Sequence, residues 1–311
     1  KISGLTHIKD VILNETYDRL SKMADPETRN DYIGIPCGIG DLDKMITGLN
    51  KSDLIILGAR PGMGKTSFAL NIARNVAVAG GKTVCFFSLE MTRDQLAQRM
   101  LSSEAGIKSE KLRTGELTTD EWTRLAMAAE QLSKTQMYLD ETPSITVPEM
   151  KAKLRRIDNL GLVVVDYRQL MQSDRKIDNR VQEVADISRA LKIMAKELNV
   201  PIICCAQLSR GPESRTDKRP MLSDLRDSGA IEQDADMILL LNPKNVKDAV
   251  QGQNRVLRVE KNKEGGLSEI ELEFEGSAYL MHQPCIYAED ARNVAVTGFG
   301  TLDGQGDYWW K

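Results

Sequence analysis

The sequence predicts an α/β fold with a mostly parallel central sheet, helices on both faces, and an antiparallel hairpin appended towards the C-terminus. From residue 53 onward five short apolar runs alternate with longer amphipathic segments, and the runs read DLIILG, TVCFFSL, GLVVVD, VPIICCA and MILLL. Because these runs are unbroken instead of alternating with polar residues, they are typical of strands buried on both faces of a parallel sheet. The amphipathic segments between them predict the helices that connect such strands.

Start signals mark several of the predicted helices. A Thr followed three residues later by Glu or Gln forms a capping box, in which the two side chains satisfy free N–H groups at a helix N-terminus. The candidate pairs are Thr92 with Gln95, Thr118 with Glu121, and Thr146 with Glu149. After residue 254 the segment NRVLRVEKNKEGGLSEIELEF alternates apolar and polar residues around two glycines, and this pattern predicts the hairpin.

Composition limits the functional classes only weakly. The chain has 42 Lys and Arg against 45 Asp and Glu, a net charge of −3, so the bulk charge does not indicate a nucleic-acid binder. A nucleic-acid site, if present, must be local or shared between subunits. Five scattered cysteines form no C-x-x-C pair, which argues against a zinc site and favours a reducing compartment. No apolar stretch approaches the roughly 20 residues that span a bilayer.

The chain divides into four predicted segments. Residues 1–23 form an amphipathic helix that must dock on its own body or on a neighbour, because a lone helix cannot bury its apolar stripe. That stripe consists of Leu5, Ile8, Ile12, Leu20 and Met23. Residues 24–33 are polar and predict a linker. Residues 34–283 hold the α/β pattern, and the Gly-rich residues 284–311, which include two adjacent tryptophans, form a tail of unknown role.

The segment GARPGMGKT, residues 58–66, matches in full the phosphate-loop pattern of Gly or Ala, any four residues, and Gly-Lys-Ser/Thr. A predicted strand precedes it and a predicted helix follows, so a nucleotide site is favoured over a glycine-rich turn without a ligand. We expect Lys65 to reach the β- and γ-phosphates and Thr66 to hold Mg²⁺. The predicted nucleotide-binding residues are Ala59, Arg60, Pro61, Gly62, Met63, Gly64, Lys65, Thr66 and Ser67.

Three further polar residues stand at the ends of predicted strands, where an open α/β sheet binds its ligands. Asp166 ends GLVVVD and is expected to hold Mg²⁺ together with Thr66, the alternative being a helix cap. Glu90 follows TVCFFSL and is expected to orient and deprotonate water, the alternative being a first-turn helix charge. Gln207 follows VPIICCA and is expected to sense the γ-phosphate, the alternative being a hydrogen-bonded strand-end amide.

Several longer strings resemble the DnaB family of replicative hexameric DNA helicases, in particular its C-terminal RecA-like motor domain. The strings are GIPCGIGDLDKMITGL, ARPGMGKTSFALNIARNVA, FFSLEM, VVVDYRQLM, AQLSR and KRPMLSDLRDSGAIEQDAD, of which the last is the most specific. The resemblance covers about residues 5–282. It implies a RecA-like P-loop ATPase core, ATP and Mg²⁺ as cofactors, a homohexamer, and a primase and a helicase loader as partners. It also implies a cytoplasmic location in a bacterial or phage-infected cell.

The family's N-terminal collar domain has no counterpart in this sequence, so we expect a motor fragment or a form without the collar. The opening helix resembles the linker helix that docks on the adjacent subunit. Two segments resemble the pore loops that hold single-stranded DNA. One pore loop contains Arg226, Asp227, Ser228 and Gly229, and the other, residues 172–180, contains Arg175 and Lys176. From residue 209 to residue 226 there are five Lys or Arg against three Asp or Glu, which agrees with phosphate contact, although a solvated mobile loop is the alternative.

Three features depart from the family's pattern. The trans-acting strand of the family typically carries Lys-x-Arg, whereas this chain has Lys261 and Lys263. We expect Lys263 to act as a weaker finger on the neighbour's γ-phosphate, unless both lysines are solvated residues of a hairpin turn. Arg168 stands where an apolar Leu is common, and we expect it to contact DNA phosphate or to face solvent. The terminal DYWWK has no recognised counterpart.

Together these patterns predict a ring-forming ATPase that moves 5′→3′ along single-stranded DNA and separates the duplex ahead of it. One alternative is a recombinase-like or other RecA-fold ring ATPase without unwinding, which strand-displacement activity would distinguish. A second alternative is an assembly module in which the nucleotide only joins subunits, but Glu90 argues against it because such a module needs no activated water. A small-molecule kinase is disfavoured, since no acceptor pocket is recognised.

Overall fold

A computed structural model describes residues 5–166, 180–208, 224–225, 228–244, 254–275 and 280–282 of the 311-residue chain. The strands within these residues are β1 (Leu54–Ala59), β2 (Thr83–Ser88), β3 (Met137–Asp140), β4 (Leu160–Asp166), β5 (Ile202–Gln207), β6 (Met237–Pro243), β7 (Asn254–Asn262), β8 (Glu269–Glu275) and β9 (Leu280–His282). They form one nine-stranded sheet in the order β3-β2-β4-β5-β1-β6-β7-β8-β9. The first six strands in this order are parallel, and the last three are joined by antiparallel pairing.

The helices lie mainly between the parallel strands. Those of the described residues are α1 (Ile8–Val11), α2 (Tyr17–Ala24), α3 (Arg29–Tyr32), α4 (Gly40–Ile46), α5 (Lys65–Val78), α6 (Arg93–Ala105), α7 (Ser109–Thr114), α8 (Thr119–Ser133), α9 (Val147–Leu154), α10 (Arg180–Leu198) and α11 (Ser228–Asp234), with a π-helical turn at Ile12–Thr16 between α1 and α2. All three predicted capping boxes are confirmed, with both reciprocal hydrogen bonds present at the starts of α6, α8 and α9.

Two hydrophobic cores cover the two faces of the sheet. Alternate residues of each central strand contribute to opposite cores, as the two-residue period of a strand requires. On one face Ile55 and Leu57 pack with Phe68 of α5, and on the other face Leu54 and Ile56 pack with side chains of α9 and α10. The predicted α/β fold, with helices on both faces and buried parallel strands, is therefore confirmed.

The structure differs from the sequence-based expectation in three places. It adds β3, a parallel edge strand whose Tyr138 is exposed, next to β2. It extends the predicted hairpin of β7 and β8 by a third antiparallel strand, β9. It also forms the short helix α3 within the polar segment that predicts a linker. In each case the segment is short, with at most four residues, so it lacks the apolar run that identifies a buried element.

The direction of β7 fixes which residues meet at each edge of the sheet. Strand β7 runs antiparallel to β6, pairing Arg255 with Pro243 and Asn262 with Met237. It therefore starts at the carboxyl ends of the parallel strands, here called the carboxyl edge. It finishes at their amino ends, here called the amino edge. A six-residue strand separates these edges by about 20 Å.

The cysteines that the structure describes are buried free thiols. They are Cys37, Cys85, Cys204 and Cys205. Burial raises the pKa of the Cys85 and Cys204 thiols to about 12 and raises the pKa of the Cys37 and Cys205 thiols well above the ordinary value. These thiols pack as small hydrophobic side chains, which the apolar runs around Cys85, Cys204 and Cys205 predict for those three.

The opening helical segment leaves its apolar side chains uncovered. The predicted stripe residues Leu5, Ile8, Ile12 and Leu20 are all at least 48% exposed. Leu13 and Tyr17 are exposed beside them. None of the helices in the described part of the chain is long and apolar enough to cross a bilayer.

Candidate nucleotide site

The phosphate loop joins β1 to α5 at the carboxyl edge. Gly62 and Gly64 adopt positive φ angles of 78° and 91°, a conformation that a side chain would strain. Gly64 is also the residue before the first turn of α5, and its carbonyl accepts the N–H of Phe68 at 2.8 Å. The loop therefore ends at a helix N-terminus whose free N–H groups and dipole favour bound phosphate.

Lys65, Thr66 and Asp166 form one cluster beside this loop. The Thr66 hydroxyl donates to Asp166 Oδ2 at 2.7 Å, and Lys65 Nζ lies 3.4 Å from Asp166 Oδ1. Burial by itself lowers the pKa of the Lys65 ammonium, but the neighbouring negative charge of Asp166 opposes this effect, and the pKa lies above its usual value. Lys65 is therefore charged at neutral pH and available to a phosphate.

Asp166 and Thr66 also fit the predicted Mg²⁺ role. Asp166 is 1% exposed, and among the described residues its Oδ1 atom accepts no hydrogen bond, although it forms the ion pair with Lys65 at 3.4 Å. The Lys65 ammonium compensates part of the cost of burying this carboxylate, and the oxygen without a hydrogen bond can still bind a second cation. No group of three or more His, Cys, Asp or Glu side chains among the described residues is placed to hold a metal ion. The hydroxyl of Thr66 and the carboxylate of Asp166 suit Mg²⁺, which keeps several waters and binds through one or two protein oxygens plus substrate phosphates.

A cavity of about 440 Å³ opens over the phosphate loop. It brings together the ends of three strands, since Glu90 follows β2 and Gln207 ends β5 next to Ala59 of β1. A hydrogen bond from the Met91 N–H to the Ser88 hydroxyl at 3.0 Å tightens the turn that carries Glu90. The lining residues are Ala59, Arg60, Pro61, Gly62, Gly64, Lys65, Thr66, Ser67, Glu90, Arg99, Gln207 and Phe274.

One predicted nucleotide-binding residue is placed differently. Met63 is 6% exposed, packs in the core on the α5 face and does not line the cavity. Its side chain therefore packs in the core under the loop, and nucleotide binding by Met63 stays a prediction. The sequence pattern treats all the variable positions of the loop alike and does not distinguish the one that points into the core.

The sequence reasoning missed three residues at this site. Arg99 of α6 lines the phosphate cavity and also a neighbouring cavity of about 730 Å³, which Glu90, Gln98, Glu110 and other residues line. Phe274 of β8 lines the phosphate cavity, and Arg255 of β7 contacts the loop from behind. Only Arg255 has a clear signal in the sequence, because it falls in phase with the apolar, core-facing residues of its strand.

The predicted trans-acting lysines lie far from this cavity, at the amino edge. Lys261 Nζ donates to the carbonyls of Glu232 at 2.6 Å and Ala235 at 2.5 Å, at the C-terminal end of α11. Lys263 follows β7, is 65% exposed in its side chain, and places Nζ 3.7 Å from Asp236 Oδ1. Neither lysine can reach the phosphate loop of its own subunit across the width of the sheet.

Most of the predicted DNA-binding residues lie outside the described part of the chain, namely Arg168, Arg175, Lys176, Arg226 and Asp227. Ser228 and Gly229 are described at the start of α11, where Gly229 is exposed. The helix that Lys261 contacts therefore begins at the predicted DNA loop.

A phosphate loop on a mostly parallel sheet, with an acidic residue and a second carboxylate at its carboxyl edge, defines a P-loop nucleotide-binding protein of the RecA-like class. The comparison with protein families gives a narrower assignment than the RecA-like class. The DnaB-like helicase C-terminal domain family matches residues 34–282, and the chain belongs to that family.

Curated relatives agree with this assignment. The chain is 46% identical over 278 residues to the replicative DNA helicase DnaC of Bacillus subtilis (strain 168), covering 88% of this chain and 61% of that protein. It is 50% identical over 239 residues to the replicative DNA helicase DnaB of Geobacillus stearothermophilus, covering 76% of this chain and 52% of that protein. The chain therefore spans less than two thirds of the length of these relatives.

Solved structures share the fold. The ATPase domain of G40P superimposes with a TM-score of 0.81 at 29% identity, covering 90% of this chain and 99% of that chain. A DnaB-like replicative helicase, solved in a study of its interactions with primase, gives a TM-score of 0.79 at 30% identity and covers 89% of this chain and 67% of that one. The RadB recombinase, with a TM-score of 0.52 at 17% identity, shares the fold alone.

Proposed function

We propose that this chain is the motor domain of a replicative DNA helicase. In this proposal ATP is hydrolysed between the subunits of a homohexameric ring that moves 5′→3′ along single-stranded DNA and unwinds the duplex ahead. One observation carries it: the phosphate loop and the lysines of β7 lie at opposite edges of one sheet. Head-to-tail packing brings the amino edge of one subunit to the carboxyl edge of the next, and repetition of such a contact closes a ring.

Within one subunit, the residues at the carboxyl edge have distinct roles. Lys65 and the loop N–H groups bind the phosphates, and Gln207 contacts the γ-phosphate. Glu90, which lines the same cavity as the phosphate loop, orients the attacking water and accepts its proton as a general base. Bound Mg²⁺, held by Thr66 and Asp166 together with the nucleotide, would supply charge neutralisation of the phosphates.

The neighbouring subunit supplies positive charge from the far end of its β7. Lys263 is exposed, and within the described residues its ammonium pairs with Asp236 at the long distance of 3.7 Å, so it can turn towards a phosphate on another chain. A cation that arrives from the neighbour makes hydrolysis depend on ring assembly, as an arginine finger does in other P-loop enzymes.

The contact of Lys261 supports coupling between that interface and DNA. Its ammonium binds the two carbonyls at the C-terminal end of α11, where a cation is also favoured by the helix dipole. The N-terminal end of α11 begins at Ser228, next to the proposed DNA-binding residues Arg226 and Asp227. A movement of Lys261 at the subunit interface can therefore be transmitted through the short helix α11 to the proposed DNA-binding loop.

The exposed stripe of the opening helix supports assembly. Leu5, Ile8 and Leu20 leave an apolar surface open to water, which is costly unless another surface covers it. We propose that the adjacent subunit of the ring covers it. Further proposed partners are a primase, with which one structural relative interacts, and a helicase loader.

The first experiment is ATP hydrolysis with and without single-stranded DNA, followed by strand displacement on forked duplexes with either a 5′ or a 3′ loading strand. We expect stimulation by DNA and unwinding that requires the 5′ loading strand. Stimulation without unwinding would favour a recombinase-like ATPase, the class of the RadB structure that shares only the fold. ATP turnover that is equal with and without single-stranded DNA would contradict the proposed motor function.

Lys263→Ala tests the contribution of the neighbouring subunit. We expect DNA-stimulated ATP turnover to fall at least about 10-fold, because a finger cation stabilises charge that develops on the transferred phosphoryl group. Binding of nucleotide by a single subunit should change little. Lys51→Ala is the matched control, since Lys51 is an exposed lysine in the turn before β1, at the same edge. Equal turnover in the two variants would remove Lys263 from the mechanism.

A further inference from the structure

Arg255 is a buried arginine on a strand that is otherwise apolar on the same face. It is 4% exposed and shares the core-facing side of β7 with Leu257 and Val259. A guanidinium at such a position is costly to bury unless specific contacts hold it. The contacts that Arg255 makes therefore indicate what the buried charge does.

Two contacts of Arg255 are directed at the phosphate loop and its cavity. Arg255 Nε donates to the carbonyl oxygen of Met63 at 3.2 Å. Its guanidinium carbon lies 5.3 Å from the centre of the Phe274 ring, within the range of a cation–π contact, and Phe274 lines the phosphate cavity. A further hydrogen bond joins Arg255 Nη1 to the carbonyl of Asn254 at 3.1 Å. Arg255 thus connects β7 to two parts of the nucleotide site.

The hydrogen bond to Met63 constrains a peptide that faces the phosphates. In a planar trans peptide the carbonyl of one residue and the N–H of the next point in opposite directions. Because Arg255 holds the Met63 carbonyl, it directs the Gly64 N–H to the other side, and Gly64 lines the cavity. Gly64 has a φ of 91°, a region that glycine enters and leaves at little cost, so an external contact is needed to fix the orientation.

We propose that Arg255 is a positioning residue that fixes the phosphate loop through the Met63 carbonyl and links that loop to the next nucleotide site along β7. The eight residue steps from Arg255 to Lys263, which directly follows β7, span about 27 Å of extended chain. The two ends of β7 thus act on different nucleotides. The end at Arg255 acts on the nucleotide of its own subunit, and the end at Lys263 acts on the nucleotide of the neighbouring subunit. This second part rests on the proposed function, in which Lys263 acts on the adjacent subunit.

The test compares two substitutions at this residue with one control. Arg255→Met keeps most of the side-chain volume and removes the donor, and Arg255→Lys keeps the charge without the planar geometry. Arg258→Met is the control, since Arg258 lies on the same strand and pairs with Glu260 and Glu269 outside the cavity. The readouts are the Kd for a fluorescent ADP analogue, the KM and kcat for ATP, and the Hill coefficient for ATP.

We expect Arg255→Met to raise the Kd and KM about 10-fold, because a hydrogen bond from a charged donor is lost. We expect kcat at saturating ATP to fall much less and the Hill coefficient to move towards unity. Arg255→Lys should give an intermediate Kd, and Arg258→Met should match the unmodified chain in all readouts. Values for Arg255→Met and Arg255→Lys equal to those of the control would overturn the proposal.

Thermal unfolding and the Arg255→Lys variant show whether a change in Kd is only the result of a folding defect. If Arg255→Met does not fold, the Kd and the Hill coefficient of Arg255→Lys, which retains a buried cation, test the proposal instead. A folded Arg255→Lys chain with unchanged Kd and Hill coefficient would also reject the proposal. Failure of the helicase proposal has a different signature, since the unmodified chain would then show no DNA-stimulated turnover. The Kd comparison would still report whether Arg255 positions the loop.

Discussion

Glu90→Gln is expected to lower DNA-stimulated ATP turnover by roughly 100- to 10,000-fold, the usual contribution of a general base. Glutamine has nearly the same shape but cannot accept the proton of the attacking water. Because Glu90 lines the cavity without belonging to the phosphate loop, we expect the affinity for nucleotide to stay close to that of the unmodified chain. Steady-state ATP hydrolysis and binding of a fluorescent ADP analogue measure the two quantities separately.

Glu110→Gln provides the matched control for this substitution. Glu110 lines the neighbouring cavity together with Glu90 but does not line the phosphate cavity. It therefore changes the charge of the same region without changing the proposed base. If Glu90→Gln retains turnover comparable to that of Glu110→Gln, another group must activate the water.

Asp166→Asn should produce the second large effect. We expect ATP turnover to fall at least about 100-fold, because the charge stabilisation that a bound metal ion supplies is worth several kcal/mol. The variant removes the negative charge next to Lys65 and replaces one of the two carboxylate oxygens with an amide nitrogen, which cannot bind a metal ion. The specific signature is the metal dependence: the Mg²⁺ concentration that gives half-maximal turnover should rise strongly in the variant.

The control for Asp166→Asn is Asp140→Asn. Asp140 also ends a parallel strand, at the sheet edge, and its carboxylate pairs with Lys153 at 2.5 Å, outside the phosphate cavity. We expect its Mg²⁺ dependence to equal that of the unmodified chain. An unchanged Mg²⁺ dependence in Asp166→Asn, in a variant that unfolds at the normal temperature, would exclude Asp166 as a metal residue.

The central strands and the carboxyl-edge residues were predictable because they carry strong local signals. Val163 to Val165 form an unbroken apolar run, and such runs usually form strands that are buried on both faces of a sheet. The register of a parallel sheet then brings Asp166 and Gln207 to the same edge as the loop. The local sequence pattern and the sheet topology were together sufficient to predict that Glu90, Asp166 and Gln207 lie at the same edge of the sheet as Lys65.

The contacts of Arg255, Arg99 and Lys261 were not predictable in the same way. Each depends on a meeting between segments distant in sequence, as in the hydrogen bond that joins Arg255 to Met63 across 192 positions. Strand β3 was missed for a different reason, since MYLD at the edge of the sheet has an exposed tyrosine and no apolar run. Long-range contacts and half-solvated edge strands leave weak traces in a single sequence.

The four buried cysteines have a practical consequence for spectroscopic work on this chain. Maleimide reagents react with the thiolate form of an accessible cysteine, and Cys37, Cys85, Cys204 and Cys205 are covered, with pKa values raised by burial. Once Cys285 is replaced by serine, a cysteine introduced at an exposed position should be the fast-reacting thiol. Fluorophores attached in this way can report distances between neighbouring copies of the chain without removal of the buried thiols from the core.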